Sequence, residues 1–179
     1  MKKIILCFCF ATFLLSCNSN KEKNASTTST ADSTTKSTVD LPYTASYSSS
    51  WSTDVSDADL KMVLMSYKDW QDNNMNGLTS AIGDSVTWDM STGDRKKLSR
   101  ADLIKMWTTT RDSLSSVKID MAGWQKMYAT DKKEGYIVTW YDETDTYKTG
   151  KVDSASYHDI NRVKDGKITW YSQYKRPKK

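Results

Sequence analysis

The side chains able to do chemistry are few and unevenly placed. All three cysteines (Cys7, Cys9, Cys17) and all three phenylalanines fall in the first seventeen residues, and His158 is the only histidine. A His–Cys metal site, a two-histidine centre, a structural disulfide and a cysteine nucleophile are therefore nearly excluded for the rest of the chain. His158 sits between Tyr157 and Asp159 in an alternating segment, so it points to the face opposite Asp159. What remains is proton chemistry by carboxyl and phenol groups. Three polar residues stand where they could serve an interior cavity: Tyr67 on an apolar helical stripe, Asp89 at a strand end, and Asp159 on the strand face shared with Tyr157 and Asn161. No glycine-rich phosphate loop and no calcium-loop pattern is present, so no metal and no cofactor is expected.

These residues need elements to hold them. Ser56 with Asp59 forms a capping box that opens a helix, and Leu60, Val63, Leu64, Tyr67 and Trp70 give it one apolar stripe. A short helix over Met75 to Ile82 and a strand over Ser85 to Met90 follow. Ser99 with Asp102 then opens a third helix through Leu103, Ile104, Trp107 and Leu114. Beyond Ser115 the period becomes two. The pattern predicts strands over 117–130 (bulged at Gly123), 135–147, 151–163 and 168–174, the last pair joined by a tight Lys164-Asp165-Gly166-Lys167 hairpin. Helices followed by successive hairpins predict an α+β domain over 57–179, an antiparallel sheet with about three helices on one face. No proline interrupts Asp57 to Tyr174. The body up to Tyr174 is nearly neutral; the net charge of +4 resides in Lys175, Arg176, Lys178 and Lys179. A nucleic-acid partner, which needs a basic face, is not expected.

The amino end carries an address. Lys2-Lys3 precedes an apolar run from Ile4 to Leu15, too short to span a bilayer of roughly 30 Å. The run closes on Leu14-Leu15-Ser16-Cys17, which resembles the bacterial lipobox. That resemblance implies cleavage after residue 16, acylation of Cys17 and anchoring to a membrane of the cell envelope, with Asn18 favouring the outer membrane. Residues 17–56 are about half Ser and Thr and bury too little apolar surface to fold, so they read as a disordered tether. Tyr43, Tyr47 and Trp51 could dock on the domain.

The order helix, helix, strand, helix and curved sheet resembles the nuclear-transport-factor-2-like cone shared by SnoaL-like polyketide cyclases and ketosteroid isomerases. Two segments carry the likeness: Gly83-Asp84-Ser85-Val86-Thr87-Trp88-Asp89, and Tyr157 through Ile168 with its Asp165-Gly166-Lys167-Ile168 hairpin. The resemblance implies a pocket between sheet and helices, here walled by Trp88, Trp107, Tyr157 and Asn161. It also implies a homodimer formed through the outer sheet face; Trp124, Trp140, Tyr141, Trp170 and Tyr171 put aromatics on both faces of the strands, more than the helix-covered side can bury. By position Tyr67, Asp89 and Asp159 resemble the tyrosine, base and oxyanion-holding acid of ketosteroid isomerases. All three are expected to converge, with Asp89 at the pocket mouth. Three functions stay open: a lipid-tethered module binding a small apolar ligand or a partner, a cofactor-free isomerase, cyclase or dehydratase, and a dimeric scaffold with a filled interior.

Overall fold

A computed structural model describes residues 40–178. The acylation site expected at Cys17 lies outside the described residues.

Helix α1 (Asp57–Gln71) starts where the capping box predicts: the Asp59 amide donates to Ser56 Oγ at 3.0 Å, and Ser56 Oγ–H donates to the Asp59 carboxylate at 2.8 Å. Its inward stripe buries Val63 and Tyr67. Helix α2 (Met75–Ala81), capped by Asn74, runs directly into strand β2 (Ile82–Asp89). Helix α3 (Arg100–Asp112) repeats the serine cap, with the Asp102 amide donating to Ser99 Oγ at 3.1 Å.

The sheet gathers β1 (Trp51–Ser52), β2, β3 (Arg95–Ser99), β4 (Leu114–Ala129), β5 (Glu134–Tyr147), β6 (Val152–Lys164) and β7 (Lys167–Pro177). Their order is β1-β4-β5-β6-β7-β2-β3, with β2 parallel to β7 and every other pair antiparallel. The sheet is curved and unclosed, and the helices cover one face. The register slips between Met121 and Gly123, which puts the bulge where Gly123 foretold it. At the last hairpin Asp165 and Gly166 have φ of 51° and 68°, the left-handed pair that a tight turn matching strand twist requires.

Several elements differ from the sequence expectation: β2 begins at Ile82 and not at Ser85, and Leu114 opens β4 where a place on the third helix was expected. Strand β3 was not foreseen, because Arg95-Lys96-Lys97 has no apolar alternation; it is an edge strand, where charge discourages pairing with other chains. Order also begins before residue 56, since the compact unit starts at Pro42. Trp51 and Ser52 pair with Ala129 and Tyr128, the Tyr47 and Tyr136 hydroxyls lie 2.6 Å apart, and Val55 is buried. Gly135 makes room for that strap, since a Cβ there would stand 3.4 Å from a Val55 methyl and 3.2 Å from one of Val163. Pairing and burial thus order a segment whose composition alone reads as unfolded. Tyr43 stays exposed.

Candidate functional site: a cavity above a buried carboxyl

Strand alternation decides which side chains face the helices. On β5 these are Thr139, Tyr141, Glu143, Asp145 and Tyr147; on β6, Tyr157, Asp159 and Asn161; on β7, Tyr171, Gln173 and Lys175. All of these but Thr139 and Asp159, with Trp70 from α1, Trp107 from α3 and Trp88 from β2, bound a cavity of about 390 Å³. Rings meet edge-on or tilted around it: Trp88 and Trp107 at 6.4 Å between centroids, Trp88 and Tyr171 at 5.9 Å. Tyr141 and Tyr157 stack at 5.1 Å. With no phenylalanine in the domain, these wide, polar-edged rings line a space that they do not fill. The four wall residues expected from the sequence, Trp88, Trp107, Tyr157 and Asn161, all line it.

Beneath this wall lies Asp159, 0% exposed. Its Oδ2 accepts from three phenols: Tyr141 at 2.8 Å, Tyr171 at 3.0 Å and Tyr67 at 3.1 Å. Tyr67 Oη in turn accepts from Asn161 Nδ2 at 3.0 Å and shares a hydrogen bond with Thr139 Oγ1 at 2.9 Å. Gln173 Nε2 donates to Tyr171 Oη at 2.6 Å. Burial raises the Asp159 carboxyl to about 7, and the three phenol donors pull it back only in part. Burial, and then neighbouring negative charge, also pushes the Tyr67 and Tyr171 phenols well above their ordinary range, so they remain neutral donors. Tyr67 and Asp159 therefore meet, but Asp159 lies behind the phenols, not at the cavity surface.

Asp89 does not join them. Trp88 takes the inner face of β2, so its neighbour must point outward. There Arg95, its cross-strand partner, grips Asp89 with two nitrogens, Nη2 at 2.7 Å from Oδ2, and Trp170 Nε1 donates to Oδ2 at 3.1 Å. The Arg95 guanidinium holds this carboxyl below the usual range. The expected convergence of Tyr67, Asp89 and Asp159 is thus corrected: two meet, and Asp89 is an ion-pair partner on the outer face.

The sequence reading missed two carboxyls that do line the cavity, Glu143 and Asp145. Burial pushes Glu143 up to about 8, helped by repulsion from Asp145 and Asp159, while the Trp70 indole and Lys175 work against it. Burial raises Asp145 as well, opposed by Lys175. The signal for both was the alternation Tyr141, Glu143, Asp145, Tyr147 in a strand already foreseen. Asp145 Oδ1 and Trp88 Nε1 at the cavity wall, and Asp159 Oδ1 behind it, are buried without a hydrogen-bond partner among the described residues. The cavity therefore presents one free acceptor and one free donor. Among the described residues no group of three or more His, Cys, Asp or Glu is placed to hold a metal ion, and no helix is long and apolar enough to cross a membrane.

No protein-family model matches the chain, and no curated protein matches it in sequence. Its similarities are to solved structures. An LEH-like epoxide hydrolase from M. tuberculosis superposes with a TM-score of 0.57 at 11% identity, over 66% of this chain and 83% of that one. A nuclear-transport-factor-2-like protein of unknown function from an Exiguobacterium species gives 0.53 at 20% identity, over 63% and 97%. A Xanthomonas campestris protein assigned as a polyketide cyclase gives 0.52 at 17% identity, over 65% and 89%. The domain has the nuclear-transport-factor-2-like fold.

Proposed function

We propose that this nuclear-transport-factor-2-like domain is a lipid-tethered binding module that holds one small, largely apolar molecule at the cell envelope. The observation that carries this reading is the cavity itself: about 390 Å³, walled by rings, with a buried donor and a buried acceptor left unpaired. The arrangement beneath it favours binding over turnover. Three phenol protons are already committed to Asp159 Oδ2, so they are not free to stabilise a developing oxyanion. Native mass spectrometry of the protein isolated from its own envelope is expected to show one retained small molecule per chain. Chains that carry nothing would overturn the reading.

An acid–base enzyme is the second reading, and Glu143 favours it. This carboxyl lines the cavity, and burial pushes it up to about 8, far closer to neutral pH than an ordinary carboxyl and so nearer the range a proton shuttle needs. A retained molecule that is converted on incubation with the wild-type protein but not with Glu143→Gln would decide for the enzyme.

The tether rests on Ser16-Cys17 and the apolar run before it. Acyl chains on one residue hold a protein stably, at about 0.8 kcal/mol for each buried CH₂. Cys17→Ser is expected to move the protein from the membrane fraction to the soluble fraction, and unchanged sedimentation with membranes would overturn the anchor. Self-association through the outer sheet face belongs to the same proposal. Trp140, His158 and Tyr174 form a ring ladder there, with centroids 5.1 and 5.9 Å apart; Trp140 is 39% and Tyr174 58% exposed.

A further inference from the structure

We infer that the molecule selected by this cavity is a hydrophobic cation, an organic ammonium held between the aromatic wall and the Glu143–Asp145 pair. The inference rests on the reading of the cavity as a ligand site and adds the chemical class of the ligand. It begins with charge. Glu143 and Asp145 line the cavity, Asp159 lies just behind it, and Asp153 on β6 adds its field to Asp145. Against them the lining offers one cation, the exposed Lys175. Arg111 also acts on Asp145, but its nitrogens are committed to the carbonyls of Trp70 and Gln71, each at 3.1 Å, and of Leu114 at 3.4 Å. The cavity is short of positive charge.

Ligand classes respond to that shortage differently. An anion would be repelled by whichever carboxyl of the pair is ionised and would meet a single exposed ammonium. A neutral apolar molecule would strip water from both carboxyls and return nothing for it. A cation supplies the missing counter-charge, and its alkyl or aryl body occupies the same apolar space. The ring faces add attraction of their own, since the negative face of an indole or phenol draws an ammonium within about 6 Å. The protein already uses that contact: Lys175 Nζ lies 5.5 Å from the centre of the Tyr157 ring. Asp145 Oδ1 is buried with no hydrogen-bond partner among the described residues, while Glu143 hydrogen-bonds to the same carboxyl.

Proton linkage gives a second signature. The groups facing Glu143 are Tyr141 and Asp145 on its own strand, Tyr157 and Asp159 on β6, Lys175 and Tyr171 on β7, and Trp70 on α1. With the cavity empty, Glu143 holds a proton up to about pH 8. A bound cation favours the carboxylate and lowers that pKa, so binding expels a proton. Affinity therefore rises with pH until Glu143 is ionised in the empty cavity as well.

Benzyltrimethylammonium and its uncharged carbon isostere neopentylbenzene make the test, because neither can give or take a proton. Each is titrated into the full chain in detergent at constant ionic strength, and binding is read from tryptophan fluorescence at pH 6 and pH 8.5. The cation is expected to bind at least 10-fold more tightly than the isostere, and about 10-fold more tightly at pH 8.5 than at pH 6. Glu143→Gln with Asp145→Asn is expected to erase both differences. Lys175→Met, an exposed change, is expected to tighten the cation alone, and it decides the matter if the double variant does not fold. Equal binding of both probes would overturn the cation inference and leave the cavity reading standing. Binding of neither probe would overturn both.

Discussion

Asp159→Ala is expected to lower the unfolding free energy by about 4 kcal/mol at pH 5, on the basis of ~1–3 kcal/mol for each buried group that loses its partner. Three phenol groups donate to the one oxygen that this change removes. The loss is a large part of the 5–15 kcal/mol typical of a domain, so the urea midpoint should fall steeply. Asp159→Asn keeps an oxygen acceptor and should lose less. It also exposes the charge behaviour. The carboxyl goes from its ordinary 3.8 to about 7 in the folded protein, so between those pH values the folded state holds a proton that the unfolded state has released. Stability from this group is therefore complete below about pH 4, falls as pH rises towards 7, and is level above. Three units correspond to about 4 kcal/mol as an order of magnitude. Glu143 extends the same decline towards pH 8. Asp89 works in the opposite sense and only in acid, because its carboxyl is depressed by Arg95. In Asp159→Asn the decline between pH 4 and 7 should flatten, as measured by urea midpoints at pH 4.5, 6 and 8. An unchanged slope would mean that Asp159 is ionised throughout.

The parts of the fold that could be read in advance are those fixed by local chemistry. Ser56 and Ser99 announce helix starts because their hydroxyls satisfy amides nearby in sequence. Asp165-Gly166 announces a hairpin because few other pairs accept two left-handed residues. The strap around Trp51 and the strand Arg95–Ser99 were hidden for the opposite reason: what orders them is pairing with residues distant in the chain. The site divides in the same way. Tyr67 and Asp159 lie on inward faces that periodicity locates. Asp89 points away because Trp88 takes the inward face, and strand alternation outweighs likeness of position. Glu143 and Asp145 are hidden from a periodic reading because carboxyls on an inward strand face contradict the expectation of an apolar interior. That contradiction marks a cavity, where an inward side chain need not be a packed one.

Arg111 couples the helix layer to the cavity, and its removal should be felt in both. Helix α1 ends at Gln71, and like any helix it leaves its last carbonyls without partners in its own backbone. The buried guanidinium of Arg111 takes up those of Trp70 and Gln71 from α3, while the Ile119 amide on β4 donates to Gln71 Oε1 at 2.9 Å. The end of α1 is thereby tied to a helix and to the sheet, and Trp70 is held at the cavity wall beside Glu143. Arg111→Met preserves the stem but removes the donor to the part-buried Gln71 carbonyl and the buried Leu114 carbonyl, leaving Trp70 with the Asn73 amide alone, at a cost of about 3 kcal/mol. Arg111→Lys restores the charge without the fork that reaches two carbonyls at once, so it should recover only part of the loss. The near-ultraviolet circular dichroism of the tryptophans should change in Arg111→Met even under conditions where it remains folded. The pKa of Asp145 should rise further, because the Arg111 charge is one of the influences holding it down. If Arg111→Met left both the urea midpoint and the tryptophan signal unchanged, the end of α1 would have to be held by Gln71 alone, and Trp70 would owe its place to packing against the cavity wall.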